Sequence, residues 1–242
     1  MRTPAAAMLV RYGGRGRPVV IIHDAGQSSA AAQRHGFLEH LAADFRVTAP
    51  DLPGHGGSPP VADPTIEQIA TAILATLEAL GDERFDLVGI GVGAAIALTI
   101  AGRRPGGVRS IVAGLPTRPD WRDLPPTQED GRHLTASYQA IRSGMPAGAA
   151  IEATALTIEA AEAGSSAIEA EGLLARFEWE EALEATSVPL LLGCALGSRW
   201  IDRLGEQADR QANLDLAILP GGPLFGAFDP GPLVAIVREY LW

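Results

Sequence analysis

Two titratable side chains stand together where an apolar run ends. Pro18–His23 (PVVIIH) passes directly into Asp24-Ala25-Gly26. A carboxyl group at the end of a buried strand can act as a general base when burial raises its proton affinity, and an adjacent histidine can carry a proton near neutrality. The plainer reading is that Asp24 caps a local turn and His23 is a hydrogen-bonded core histidine. A third proton carrier, His133, lies in Asp130-Gly131-Arg132-His133-Leu134. It either faces a substrate or is a solvated or capping histidine. Tyr138 and Arg142 are spaced i, i+4 and share a helical face, which His133 and Tyr138 do not. Trp121, Arg122, Trp179 and Trp200 could line an apolar pocket or simply pack the core, and Arg199 could hold an anion. His55 sits in a Pro- and Gly-rich turn, where local turn chemistry explains it. Cys194 ends an apolar strand and reads as a buried structural thiol.

The sequence contains no H-x-x-x-H or C-x-x-C, so no metal motif is present, and no cofactor is expected. Gly89-Ile90-Gly91-Val92-Gly93 superficially suggests a dinucleotide loop. The third spaced glycine is missing, because position 94 is alanine, and Arg109-Ser110 stand where an acidic residue belongs. The formal charge of −10, without a basic cluster, makes nucleic acid and anionic membranes poor partners. A single cysteine forbids an internal disulfide, and with no signal-peptide pattern a cytoplasmic location is expected. The longest apolar run, Leu87–Ala101, is about 15 residues, short of the ~20 a membrane span needs.

The elements that must position these residues alternate. Strands are expected at Pro18–His23, Phe45–Ala49, Phe85–Gly89 and Val108–Val112, then at Val188–Cys194 and Leu214–Leu219. Helices are expected at Ser29–Ala43, Thr65–Leu80, Val92–Arg103, Trp200–Gln211 and Pro232–Leu241. In the second of these Ile66, Ile69, Ile73, Leu77 and Leu80 share a face, Thr65 is the expected N-cap and Gly81 the C′ residue. Alternation of this kind implies a parallel sheet with right-handed crossovers. Between Leu115 and Glu181 the rhythm breaks into a Pro-, Ala- and Glu-rich stretch holding two or three helices, including Leu134–Ser143 and Ala149–Ala163. The chain of 242 residues thus divides into a core (1–114 and 182–242) and a helical cap (115–181) within one structural domain.

In order along the chain, several segments resemble the α/β-hydrolase family. His23-Asp24-Ala25-Gly26 stands at its His-Gly oxyanion loop. Asp51-Leu52-Pro53-Gly54-His55-Gly56-Gly57-Ser58 matches its D-x-x-G-x-G-x-S turn. Phe85–Pro105 matches its strand–elbow–helix unit without a gap. Val188-Pro189 opens the strand that leads to the acid, and Leu219-Pro220-Gly221-Gly222 resembles the loop carrying the histidine. The resemblance implies an α/β fold with a mostly parallel central sheet, helices on both faces and a helical cap insertion.

The family's chemistry needs G-x-S-x-G at the elbow. Here the nucleophile position is Gly91, the histidine position falls at Pro223, and the acid position falls near Gly197 or Ser198. Serine-hydrolase activity is therefore not expected. The backbone amides of Ala25 and Val92 occupy the family's oxyanion-hole positions and need no particular side chain. The leading expectation is a non-covalent acid/base enzyme of lyase, isomerase, cyclase or dehydratase type. It would act on a small, apolar, carbonyl-containing molecule held by those amides, with Asp24, His23 or His133 moving the proton. Two alternatives stand beside it: a non-catalytic ligand-binding module, and a hydrolase using an activated water. The apolar terminus Tyr240-Leu241-Trp242 suggests a homodimer contact.

Overall fold

A computed structural model describes residues 8–34, 36–115, 121–145, 147–195, 201–219 and 230–241. The core is a seven-stranded sheet in the order β1-β3-β2-β4-β5-β6-β7. Its strands are β1 Val10–Gly14, β2 Pro18–Ile22, β3 Arg46–Pro50, β4 Phe85–Ile90, β5 Val108–Gly114, β6 Leu190–Ala195 and β7 Leu214–Leu219. All neighbours pair in parallel except β1, which runs antiparallel to β3 at one edge. The central strands are continuous apolar runs because both faces are covered.

One face is packed by α2 (Phe37–Ala42) and α10 (Pro230–Leu241), through Phe37, Leu41, Leu233 and Val237. The other is packed by α3 (Ile66–Ala79) and α4 (Val92–Arg103). Helix α3 begins with a capping box. Gln68 N–H donates to the Thr65 hydroxyl and Thr65 N–H donates to the Gln68 side chain. Between β5 and β6 lie a 3-10 turn, Trp121–Asp123, and four helices: α5 Arg132–Ser143, α6 Ala150–Ala163, α7 Ser165–Ala175 and α8 Trp179–Ala185. The helical stretch therefore runs past residue 181 to Ala185. After β6 comes α9, Ile201–Ala208. Among the described residues, no helix is long and apolar enough to cross a membrane.

Two local expectations are corrected. The edge strand β1 was not anticipated. The single helix expected over Ser29–Ala43 is two helices, α1 (Ser29–Arg34) and α2, broken at Gly36, whose φ of 71° is left-handed.

Candidate active site

The strand ends of β2 and β4 bring the chemistry-bearing residues together. Their register pairs Ile22 with Gly89, so the loop leaving β2 and the elbow leaving β4 are side by side. Each glycine of the elbow has its own reason. A Cβ on Gly89 would stand 2.3 Å from the Gly93 carbonyl oxygen, and one on Gly93 would stand 2.2 Å from that of Ile22. Close packing of helix on strand forbids both. Gly91, the elbow residue itself, has φ 57° and ψ −118°, a conformation that strains any L side chain. A Cβ there would meet Asp24 Oδ1 at 1.8 Å.

Asp24 thus takes the space that a nucleophile side chain would need. It is 1% exposed. Its Oδ1 accepts hydrogen bonds from Ala25 N–H at 2.8 Å and from Val92 N–H at 3.1 Å. Ala25 begins the turn after β2, and Val92 is the first residue of α4, where backbone amides point outward and favour an acceptor. The two amides expected to receive a substrate oxygen therefore donate to the protein's own carboxyl group. This corrects the expectation of an open hole. Aspartate after His23 and glycine at position 91 are thus sterically matched.

His23 is placed as a structural residue. Its Nδ1–H donates to the Asp24 carbonyl at 2.7 Å, and its Nε2 accepts from Leu52 N–H at 2.9 Å. Both ring nitrogens are committed to backbone. Burial, helped by neighbouring His55, lowers its pKa to about 4. His55 mirrors it: Nδ1–H donates to the Pro53 carbonyl at 2.9 Å, Nε2 accepts from Gly26 N–H at 3.1 Å, and burial lowers its pKa. The two rings lie 5.4 Å apart and lace the loop after β2 to the turn after β3. Asp51 finishes that turn. Fully buried, it accepts from Ser29 N–H at 2.7 Å and the Ser29 hydroxyl at 2.6 Å through Oδ1, and from Gly57 N–H at 2.9 Å through Oδ2. The motif Asp51–Ser58 is thus scaffold, as the sequence suggested for His55.

The remaining candidates lie on other elements. His133, at the start of α5, is half-buried and accepts Gln128 N–H at 3.0 Å through Nδ1, a bond within its own loop. Tyr138 is half-buried against the core. Trp179 packs edge-on against Phe177 with ring centres 5.0 Å apart. Arg122 is exposed. Cys194 is buried, and burial pushes its thiol up, the opposite of a reactive thiolate. The Trp121 side chain and residues Gly197, Ser198, Arg199, Trp200, Pro223 and Trp242 lie outside the described residues. Among the described residues, no cluster of three metal-ligating side chains occurs.

The family model for the alpha/beta hydrolase fold matches residues 17–156, more than half of the chain. This chain belongs to the α/β-hydrolase fold family. A pimeloyl-[acyl-carrier protein] methyl ester esterase of Methylococcus capsulatus is 37% identical over 119 residues, covering 47% of this chain and 44% of that protein. Lipase LipV of Mycobacterium tuberculosis is 36% identical over 102 residues, covering 42% of this chain and 38% of that one. The aligned stretch thus spans less than half of these relatives. Among solved structures, the enol-lactonase from Burkholderia xenovorans LB400 superposes with a TM-score of 0.80 at 15% identity, over 98% of this chain and 97% of that one. A thermophilic esterase from Thermogutta terrifontis gives 0.76 at 17% identity, over 97% and 92%. At these identities the structural likeness establishes the fold. Against it, the glycine at the elbow stands out. The chain's five histidines are at 23, 35, 40, 55 and 133, so none follows β7, where the resemblance sets the catalytic histidine.

Sequence reasoning singled out Asp24 but not its target, because that target is 68 residues away across two strands. It missed Glu159 of α6, which bonds to Ser28 in the loop after β2. No sequence signal sets it apart from Glu152 and Glu162 on the same helix.

Proposed function

We propose that this chain is a pseudo-hydrolase: a family member without acyl-enzyme chemistry, whose former oxyanion hole is filled by its own Asp24 and whose surrounding shell binds a small molecule without cleaving it. The single observation that carries this reading is the Asp24 carboxyl seated on the Ala25 and Val92 amides directly above Gly91. Ester cleavage in this fold needs a nucleophile, a base and an empty donor pair for the developing oxyanion. Gly91 supplies no nucleophile. His23 and His55 are locked as neutral rings. The donor pair is satisfied from within, so an incoming carbonyl oxygen would have to displace a buried carboxyl group. The relatives named esterase and lipase carry the fold on which this reading rests, and the absence of a histidine after β7 adds to the support from the elbow.

The test is direct. The purified protein is incubated with a fluorophosphonate probe and with a panel of p-nitrophenyl esters and acyl thioesters. The reading predicts no covalent label and no hydrolysis above buffer. Labelling, or turnover that disappears in Asp24→Asn, would overturn it.

A second reading, acid/base catalysis by Asp24, is favoured by one feature: a carboxyl group held rigidly at the strand ends, with Oδ2 only 2.6 Å from where a Cβ on Gly91 would stand. It is separated from the first by incubating the protein in deuterium oxide with small ketones and carboxylic esters. Asp24-dependent exchange of α-protons would establish catalysis, and its absence across the panel favours the binder.

A further inference from the structure

We propose that Glu159 is a proton-linked latch that seats the helices between β5 and β6 on the loop carrying Asp24. Glu159 projects from α6 and is 8% exposed. Its Oε1 accepts from the Ser28 hydroxyl at 3.2 Å and from the Arg34 guanidinium. Its Oε2 is buried and has no hydrogen-bond partner among the described residues. Ser28 lies in the loop that begins at Asp24, and its hydroxyl also accepts Ala30 N–H at 3.3 Å at the start of α1. Within that loop Gln27 N–H donates to the Asp24 carbonyl. One carboxyl group therefore touches the loop, the first helix after it and the helical insertion at once, across 131 and 125 residues of chain.

An orphaned carboxylate oxygen in an apolar contact is costly when charged and far less so when the group is protonated. Arg34, from α1, holds Glu159 ionised. Glu162, one turn further along α6, opposes ionisation, as does burial, which outweighs Arg34 and raises the pKa. From the loop the Ser28 hydroxyl acts on it, stabilising the ionised form. His35, next to Arg34, lies outside the described residues.

The sign follows. With the helices seated, Glu159 binds its proton more tightly than an exposed glutamate does. Protonation therefore favours the seated state, and that contribution is lost as the pH rises through the raised pKa. The ion pair with Arg34 moderates this dependence without reversing it. Because Ser28 and Asp24 share one short loop, unseating α6 frees the segment that plugs the oxyanion hole.

The experiment is hydrogen exchange on the full chain, followed by mass spectrometry from about pH 4 to about pH 8 with intrinsic rates corrected. Peptides covering 27–34 and 150–163 are compared with one covering 94–101 in α4. The proposal predicts that protection in the first two falls together as the pH rises, while that in α4 does not fall. In Glu159→Gln, permanently neutral, both peptides keep their low-pH protection throughout. In Arg34→Gln the wild-type fall moves to higher pH, because the cation that held Glu159 ionised is gone. A flat wild-type profile, an unchanged slope in Glu159→Gln, or a move to lower pH in Arg34→Gln would overturn the proposal.

Discussion

Restoring the family's serine at the elbow should destabilise this protein, and that cost should not simply add to the cost of removing Asp24. In Gly91→Ser the new Cβ would stand 1.8 Å from Asp24 Oδ1 and 2.2 Å from its Cγ. Overpacking of a filled site costs about 1–3 kcal/mol, and a side chain at φ 57°, ψ −118° adds about 1–3 kcal/mol of backbone strain. If Asp24 instead swings aside, two buried amides lose their acceptor, at roughly 1–3 kcal/mol each. The first route sums to about 2–6 kcal/mol and the second, with the strain included, to about 3–9 kcal/mol, a large part of the ~5–15 kcal/mol by which domains are stable. Asp24→Gly alone takes the carboxylate acceptor away from both amides and costs roughly 1–3 kcal/mol for each. In the double variant the serine has room, so only the strain and the loss of that acceptor remain. The cycle should close with a favourable coupling of about 2 kcal/mol. Urea unfolding followed by fluorescence of the chain's four tryptophans measures all four corners. Additive effects, or a Gly91→Ser protein as stable as the parent, would refute the argument that Asp24 and Gly91 are one device. The double variant should still not cleave esters, because no histidine follows β7.

Three further outcomes follow from the same geometry. His23 has a pKa lowered from 6.5 to about 4, so the unfolded chain takes up a proton before the folded one. That stability is present above pH 6.5 and lost as the pH falls through about 4, about 3 kcal/mol in all. Urea midpoints across this window should fall, and should fall less steeply in His23→Gln. Asp51→Ala strips the acceptor from Ser29 and Gly57 and should cost about 3 kcal/mol, seen as a lower urea midpoint with no change in fluorescence probe labelling. Gly93→Ala places a Cβ 2.2 Å from the Ile22 carbonyl oxygen. It should cost at least about 1–3 kcal/mol, whereas Gly102→Ala on the same helix, where nothing lies within 4 Å, should be neutral or stabilising in thermal unfolding.

Much of the fold was legible because the decisive signals were local. The run Phe85–Arg103 reads as strand, glycine turn and small-residue helix, and β4 and α4 fall there. Thr65, Gln68 and Gly81 bracket α3 with a capping box and a left-handed glycine. Strand β1 escaped notice because it is an edge strand of five residues, with two glycines, an exposed Tyr12 and no apolar run. The site was half legible. Types and positions singled out His23, Asp24, Gly91 and the two amides. What they do to one another depends on the register of β2 against β4 and on the length of one aspartate side chain, neither of which spacing encodes. The same holds for His23 and His55, whose rings look alike in sequence to catalytic ones and are distinguished only by which backbone groups reach them. Glu159 was invisible because its partners are on α1 and the loop before it.

A crystal structure of the wild-type protein, grown in the presence of a concentrated small carboxylate such as phenylacetate, tests the central claim most directly. The account predicts Asp24 Oδ1 within hydrogen-bond distance of Ala25 N and Val92 N, with the soaked carboxylate excluded from those amides. A carboxylate oxygen of the additive on both amides, with the Asp24 side chain turned away from Gly91, would contradict it and return the site to an open anion hole.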